Sequence, residues 1–335
     1  MPLSLPSLFP QLSFSASEER FVSQDLAQDW QRYQRASLVV PMQSSTLLEC
    51  RGDDHLEFIQ GKLSNDVKKL AVGQWIPALL LSIKGHALAQ LQVLKTANAL
   101  LLVCEGGSGE FVRAELERHI IFDQVTLTPR DDLYCMSCLG AKAQELSSSL
   151  FPNGLKPQSF SDSAFSTDLL TLLCGSSYGD ASAFQAWCSL EGVEALLEHL
   201  TKQGATLSGE NFIDLVRIKH RQAHASSEAG QGVLPQEAGL DGAISYRKGC
   251  YLGQEIMARI EARTAVKRGL YQVALSEMPT VSRQEIYAEG KKQGQLGCVQ
   301  RDPESGKILA LAVLKHDAPK SLRLATEEHI ELSVS

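Results

Sequence analysis

Beyond about Arg263 the apolar residues of this chain lose helical spacing and recur only in short runs, at Leu270–Leu275, Gly294–Gln300 and Ile308–Leu314, separated by Pro and Gly turns. Strands this short need several partners, so the segment 263–335 is expected to close as a small all-β barrel. Upstream, helical and strand periodicities alternate. Phe21, Val22, Leu26, Trp30 and Tyr33 predict an amphipathic helix over Ser17–Arg35. A strand at Thr46–Cys50 runs through Gly52 into a helix that turns Leu56, Phe58, Ile59 and Leu63 inward, with Asp53 or Asp54 available as its cap. Paired strands follow at Ile76–Ser82 and Ala87–Lys95 around Lys84-Gly85, then a strand at Leu100–Cys104, a helix at Glu110–Ile120 and strands at Val125–Thr128 and Leu133–Cys138. A further stretch predicts a helix near Ala141–Leu150, strands near Leu169–Cys174 and Phe184–Cys188, and helices near Val193–Gln203 and Gly209–His220. Phe151–Thr167, rich in Pro, Gly, Ser and Asp, reads as a surface loop within that stretch. The class is α+β over 1–262, followed by the barrel.

The formal charge of −7 argues against a broad nucleic-acid-coating surface, which needs a basic excess to displace counterions from phosphates. Met1–Phe14 carries no Lys or Arg and reads as a loose arm; it lacks the charged start of a signal peptide. No apolar run approaches the roughly 18 residues of a membrane span, so a cytoplasmic address is expected. Cys50, Cys104, Cys135, Cys138, Cys174, Cys188, Cys250 and Cys298 lie mostly inside apolar runs, as buried reduced thiols do. Cys135 and Cys138 have the spacing of half a zinc site, but no second pair follows and their surroundings alternate like a strand, so no metal is expected.

Glu105-Gly106-Gly107-Ser108-Gly109 invites a dinucleotide reading and fails it, because the third glycine position is Val112 and no P-loop Lys is present; a turn and helix start account for it. No hydrolase triad or glycosidase carboxylate pair stands out.

The run Ile244–Ile260 is different. Polar and glycine residues interrupt a strand-like lead-in before a helix, with Gly249 and Gly253 permitting close backbone approach and Gln254 and Glu255 able to satisfy donors at the helix start. Cys250 follows Arg247 and Lys248 directly. A free thiol ionises near about 8.5, so thiolate at neutral pH needs roughly 1.4–2.7 kcal/mol of stabilisation. A helix end gives roughly 0.3–1 kcal/mol, so a cation, Lys248 or Arg247, must add the rest. The competing reading is a Cys250 buried as an inert hydrophobe. Between Ile244 and Leu270, Arg247, Lys248, Arg259, Arg263, Lys267 and Arg268 oppose only Glu255 and Glu261, and Arg217, Lys219, His220 and Arg221 can add to them. Such a patch suits an anion or is a solvated face with local pairing. Asn65-Asp66 can read the donor and acceptor edge of a ligand or cap a helix beginning at Val67.

Lys248-Gly249-Cys250-Tyr251-Leu252-Gly253-Gln254-Glu255 resembles the signature of the YgfZ family. The likeness continues over Arg259, Arg263, Lys267 and Arg268. Phe58-Ile-Gln-Gly-Lys-Leu-Ser-Asn-Asp-Val67 is similar to the pattern of the glycine-cleavage T-protein, as are Ile83-Lys84-Gly85, Val125–Asp131 and Leu234-Pro235-Gln236, so most of the chain is spanned. The resemblance implies a T-protein-like ring of two interleaved α+β subdomains in 1–262 and the barrel in 263–335, around a tetrahydrofolate channel. It also implies a role in maintaining iron–sulfur enzymes, including those that methylthiolate tRNA. On this resemblance Cys250 and Lys248 are the candidate chemical residues, Gly249, Tyr251, Gly253, Gln254 and Glu255 the signature around them, and Asn65, Asp66, Arg217, Arg259 and Arg263 the candidate folate contacts. T-protein relatives place a carboxylate just after the glycine hairpin, where this chain has Ala89 and Gln90; neither can take a proton, so glycine cleavage is not expected. Pocket tryptophans of the family fall on Ser45 and Ile213, and the Gly of an Arg-Gly pair on Thr264; Trp30, Trp75 and Trp187 are substitutes or core aromatics.

Three functions remain open at this point. The first is a folate-binding accessory protein for iron–sulfur enzymes, acting as a monomer with folate and those enzymes as partners and tRNA reached indirectly. The second is a folate-dependent aminomethyl- or methyltransferase, and the third a direct tRNA-binding module.

Overall fold

The computed structural model describes residues 8–16, 19–150, 159–161, 170–175, 183–230, 232–263, 266–281 and 283–334. The loop expected at Phe151–Thr167 falls almost wholly outside them, as do Thr264 and the side chains of Cys174 and Arg263. Two compact units emerge, one from Met1–Leu56, Lys69–Ile76 and Gln92–Ile213, the other from Glu57–Lys68, Pro77–Leu91 and Asp214–Ser335.

In the first unit a six-stranded sheet runs in the order Phe160–Ser161, Leu170–Gly175, Phe184–Cys188, Tyr134–Leu139, Leu38–Pro41, Thr206–Leu207. Leu38–Pro41 and Phe184–Cys188 are buried at every residue; in the second the polar Gln185 is satisfied by donating to Glu105 at 2.7 Å. Helices Ala143–Leu150 and Leu190–Lys202 place Leu146, Leu150, Val193, Leu196 and Leu200 in one core with Val39, Met136 and Phe184. Ser189 caps the second helix by accepting from the Gly192 amide at 3.2 Å.

Two expectations near the N-terminus are corrected. The helix begins at Leu26, because Asp25 accepts from the Gln28 amide at 2.9 Å and fixes the first turn there. The residues before it form a strand, Arg20–Val22, paired antiparallel with Ser13–Ser15. From Leu8 onward the supposed loose arm is anchored: Phe9 is buried and meets Phe21 edge to face with ring centroids 5.2 Å apart.

A five-stranded sheet has the order Trp75–Leu81, Ala87–Lys95, Leu100–Cys104, Thr46–Arg51, Thr126–Pro129. Its first two strands form the expected hairpin, and the division between the units runs through them. The helix His55–Lys62 buries Phe58 and Ile59, but neither proposed cap serves it, since Asp54 accepts instead from the Gln124 amide at 2.7 Å. The glycine-rich turn folds as a turn: Ser108 donates back to the Glu105 carbonyl at 2.7 Å and the helix Gly109–Glu117 follows.

The second unit contains a closed six-stranded barrel, Arg268–Leu275, Ile308–Lys315, Lys291–Arg301, Glu285–Ala288, Leu322–Leu324 and Glu331–Val334. Alternate residues such as Val273, Ala310, Ala312, Leu314, Leu322 and Leu324 fill it. A bulge between Leu296 and Val299 frees the Cys298 amide, which donates at 2.8 Å to the buried carboxylate of Glu228. Among the described residues no helix is long and apolar enough to cross a membrane.

Glu210 opens the helix Glu210–His220 with a buried carboxyl that accepts from the Ser44 hydroxyl at 2.5 Å and the Ser44 amide at 3.3 Å. Burial outweighs those bonds and pushes it up to about 7. The fold then holds this proton more tightly than the unfolded chain does, so the stabilisation is complete below about 4.5 and lost as pH rises through about 7. Glu210→Gln should flatten stability between pH 4.5 and 7 by roughly 2–3 kcal/mol in urea unfolding; an unchanged slope would contradict it.

Candidate functional site

The helix His55–Lys62 ends without a continuing partner for its last carbonyls, and the chain turns sharply through Leu63, Ser64 and Asn65. Into that turn reaches the buried side chain of Lys248. Its ammonium donates to the carbonyls of Gln60 and Leu63 at 2.6 Å each and of Asn65 at 2.9 Å, so three hydrogens meet three acceptors. The nitrogen also lies 4.9 Å from the ring centroid of Tyr251. Burial pushes the ammonium down to about 8, opposed by the charge of Asp66. Lys248 is thus a holding residue, with no N–H left over for the Cys250 sulfur.

The neighbouring polar residues tighten the same corner. Ser64 donates to the Ala243 carbonyl at 2.5 Å and accepts from the Leu79 amide at 2.8 Å, while its own carbonyl accepts from the Ser245 amide at 2.9 Å. No helix begins at Val67, which overturns the capping role for Asn65-Asp66. Asn65 donates instead to the Pro77 carbonyl at 2.7 Å and the Gly242 carbonyl at 3.4 Å, and Asp66 accepts from the Gln60 amide group at 3.0 Å. The amide hydrogens that could have read a pterin are already in use.

The signature itself is a turn between two fixed points. Its lead-in is a 3-10 turn at Asp241–Ala243 rather than a strand. Gly249 and Cys250 are exposed, Tyr251 is buried, and Gly253 has φ +82°. A Cβ on Gly253 would stand 2.7 Å from the Ser82 carbonyl, and one on Gly85 would stand 2.7 Å from the Met257 methyl. Two glycines therefore set how closely the hairpin meets the helix Gln254–Arg263. Gln254 donates back to the Lys248 carbonyl at 3.5 Å, whereas Glu255 engages Arg259 rather than the helix start.

Exposure distinguishes Cys250 from the other described cysteines, since Cys50, Cys104, Cys135, Cys138, Cys188 and Cys298 are all buried. Burial pushes Cys50 and Cys188 up to about 12 and removes them from thiolate chemistry. The inert-hydrophobe reading of Cys250 is overturned.

Part of the basic cluster is consumed by pairing. Arg217 is buried on Asp214 at 3.1 Å, on the Ser227 hydroxyl at 2.9 Å and on Glu228. Lys219 binds Asp302 at 2.8 Å and Glu304 at 2.6 Å, and Arg268 grips Glu237 through two bonds of 2.9 and 2.6 Å. Arg247 is exposed. Their acidic partners Glu228, Glu237 and Asp302 carry no local motif, and only the pairing exposes them.

Sequence reading also missed a buried polar cluster behind the signature. The Gln236 amide group donates to the Tyr246 hydroxyl at 2.9 Å, and the Gln236 amide oxygen and the Tyr251 hydroxyl have no partner among the described residues. Burial pushes the Tyr251 phenol up to about 12, so it stays a donor at any physiological pH. Ala89 and Gln90 are buried, Gln90 accepting from the Ala225 amide at 3.4 Å. Ile213, Trp30, Trp75 and Trp187 are core residues; Ser45 is partly buried, with no partner for its hydroxyl among the described residues.

The family model of the GCVT N-terminal domain matches residues 2–248. The tRNA-modifying protein YgfZ of Sodalis glossinidius is 27% identical over 289 residues, covering 83% of this chain and 85% of its own. That of Pectobacterium carotovorum is 25% identical over 312 residues, covering 90% and 91%. The glycine cleavage system aminomethyltransferase T from Bartonella henselae shares the fold with a TM-score of 0.82 at 16% identity, over 98% of this chain and 95% of its own.

Lys248→Met would leave three buried carbonyls without a donor and should destabilise the protein by about 2–4 kcal/mol in urea unfolding. Gly253→Ala should cost about 1–3 kcal/mol, because a side chain at that φ meets the Ser82 carbonyl. A loss under about 0.5 kcal/mol for either variant would contradict the clamp it tests.

Proposed function

The chain belongs to the GCVT N-terminal domain family and, within it, to the YgfZ family, and from that premise we propose that it is a cytoplasmic, folate-binding accessory protein of tRNA modification. It sustains iron–sulfur enzymes that methylthiolate tRNA, works as a monomer, and reaches tRNA through those enzymes. The observation that carries the reading is the placement of Cys250: an exposed sulfur on a short turn whose one side is clamped by Lys248 and whose other side is fixed by Gly253 against the hairpin. Such a turn presents a nucleophile at a constant position without using the sulfur for packing.

Tetrahydrofolate, when bound, carries a one-carbon unit. In this reading the Tyr251 hydroxyl and the Gln236 amide oxygen, without a partner among the described residues, are the groups that meet a pterin, one donating and the other accepting. Asn65 and Asp66 hold the turn beside them. Aminomethyl transfer from glycine is not part of the proposal, since Ala89 and the hydrogen-bonded Gln90 stand where that reaction needs a carboxylate.

Cys250→Ala should unfold at the same temperature as the parent and bind tetrahydrofolate equally well, yet fail to restore methylthiolated tRNA in cells lacking the endogenous protein; full restoration would remove the thiol from the function. Tyr251→Phe should keep its stability within about 1 kcal/mol, since the hydroxyl has no partner among the described residues to lose, while weakening the rise in melting temperature that tetrahydrofolate produces. An undiminished rise would remove Tyr251 from the folate site.

A further inference from the structure

One end of the C-terminal barrel holds a cavity of about 830 Å³ that shares no residue with the signature turn. Its apolar floor comes from Leu275, Met278, Ile308 and Leu332, and Arg301, Lys307 and Lys320 stand around it. None of these three cations has a carboxylate partner among the described residues, in contrast to Arg217, Lys219 and Arg268. Of the two acidic residues at the cavity, Glu331 is within 3.5 Å of Arg323, and Glu277 has no partner among the described residues. Three cations against two carboxylates leave the lining at +1 on a chain of net charge −7.

The cations at the hairpin between Lys291–Arg301 and Ile308–Lys315 are also held in place. The Asp302 amide donates to the Lys307 carbonyl and the Gly306 amide to the Asp302 carbonyl, both at 2.8 Å, and the buried Asp302 carboxylate accepts from Ser305 and from Lys219. Arg301 donates one hydrogen to the Gly306 carbonyl at 3.0 Å, which fixes its plane and leaves the rest of its fork of donors open. A preset guanidinium loses little freedom on gripping a phosphate.

We propose that this end of the barrel is a nucleotide-binding site, in which Arg301, Lys307 and Lys320 take the phosphate and the apolar floor takes the base. An inorganic anion would leave the floor uncovered and Glu277 repelled. Glu277 therefore selects a base that carries an exocyclic amine for it to accept from. The volume is in the range of pockets for ligands of this size. The same chemistry is offered by a free nucleotide or by one nucleotide of an RNA strand.

Calorimetric titration of the full chain with 5′-AMP tests it, with IMP, which lacks the amine, and inorganic phosphate as comparisons and a tRNA transcript as a second arm. AMP should bind more tightly than IMP and phosphate, Arg301→Ala should weaken it about tenfold, and Glu277→Gln should abolish the preference over IMP. Arg301 and Glu277 are exposed, and unchanged thermal unfolding of both variants would show that they remain folded. If AMP is silent but tRNA binds and Arg301→Ala weakens that binding, the nucleotide is one carried in RNA. Binding of neither, or binding that Arg301→Ala leaves unchanged, overturns the proposal.

Discussion

One ammonium group organises the second unit around the signature. Lys248 places its charge on the three carbonyls at the end of the helix His55–Lys62, joining two segments 183 to 188 residues apart in the chain. A buried charge without partners would be costly, and three carbonyls without donors would cost about 1–3 kcal/mol each. Each half of the arrangement is unstable alone. Because the bonds run to backbone atoms, the clamp fixes the path of the main chain, and with it the turn that carries Gly249 and Cys250.

The same economy governs the other cations of the unit. Arg217 meets Glu228 in the loop that follows its helix, while Lys219 meets Asp302 and Arg268 meets Glu237 across longer stretches of chain. Glu228 shows why the partners must be buried acids. It accepts from Arg217, from the His224 amide at 2.8 Å and from the Cys298 amide that the barrel bulge exposes, so one carboxylate ties a helix, a loop and a strand. Gly297 has no side chain because a Cβ there would stand 2.3 Å from that carboxylate. Part of what composition presents as a basic patch, Lys248, Arg217, Lys219 and Arg268, is therefore internal wiring.

Much of the architecture was legible in the residues, because period and turn chemistry are local. The barrel strands, the Lys84-Gly85 hairpin and the alternating elements of the first unit follow from them. The failures are the places where a long-range partner decides. Arg20–Val22 has apolar residues on a helical stripe, yet pairs as a strand because Ser13–Ser15 lies beside it and Asp25 starts the helix later. Asn65 looks like a cap by composition, but Pro77 and Gly242 claim its amide. At the site, the eight-residue signature announced Cys250 and the glycines. It could not announce that Lys248 faces away toward a helix end, or that Gln236 and Tyr246 stand behind Tyr251, since those depend on which carbonyls and side chains the fold leaves nearby.

Sorting polar groups by whether the protein already uses them gives the functional reading its direction. Lys248, Asn65, Asp66, Arg217 and Arg268 are all engaged within the second unit, so holding that unit together accounts for them. Among the described residues, the groups left over at the surface or beside the signature include an exposed thiol, a phenol and an amide oxygen, and the cations at the barrel end. A fold that pairs Arg217 in its interior and leaves the Tyr251 hydroxyl without a partner among the described residues has given up stability at Tyr251. Replacing that hydroxyl by hydrogen would remove the penalty at no packing cost, which is why the proposed folate site gives the phenol a partner from outside the chain.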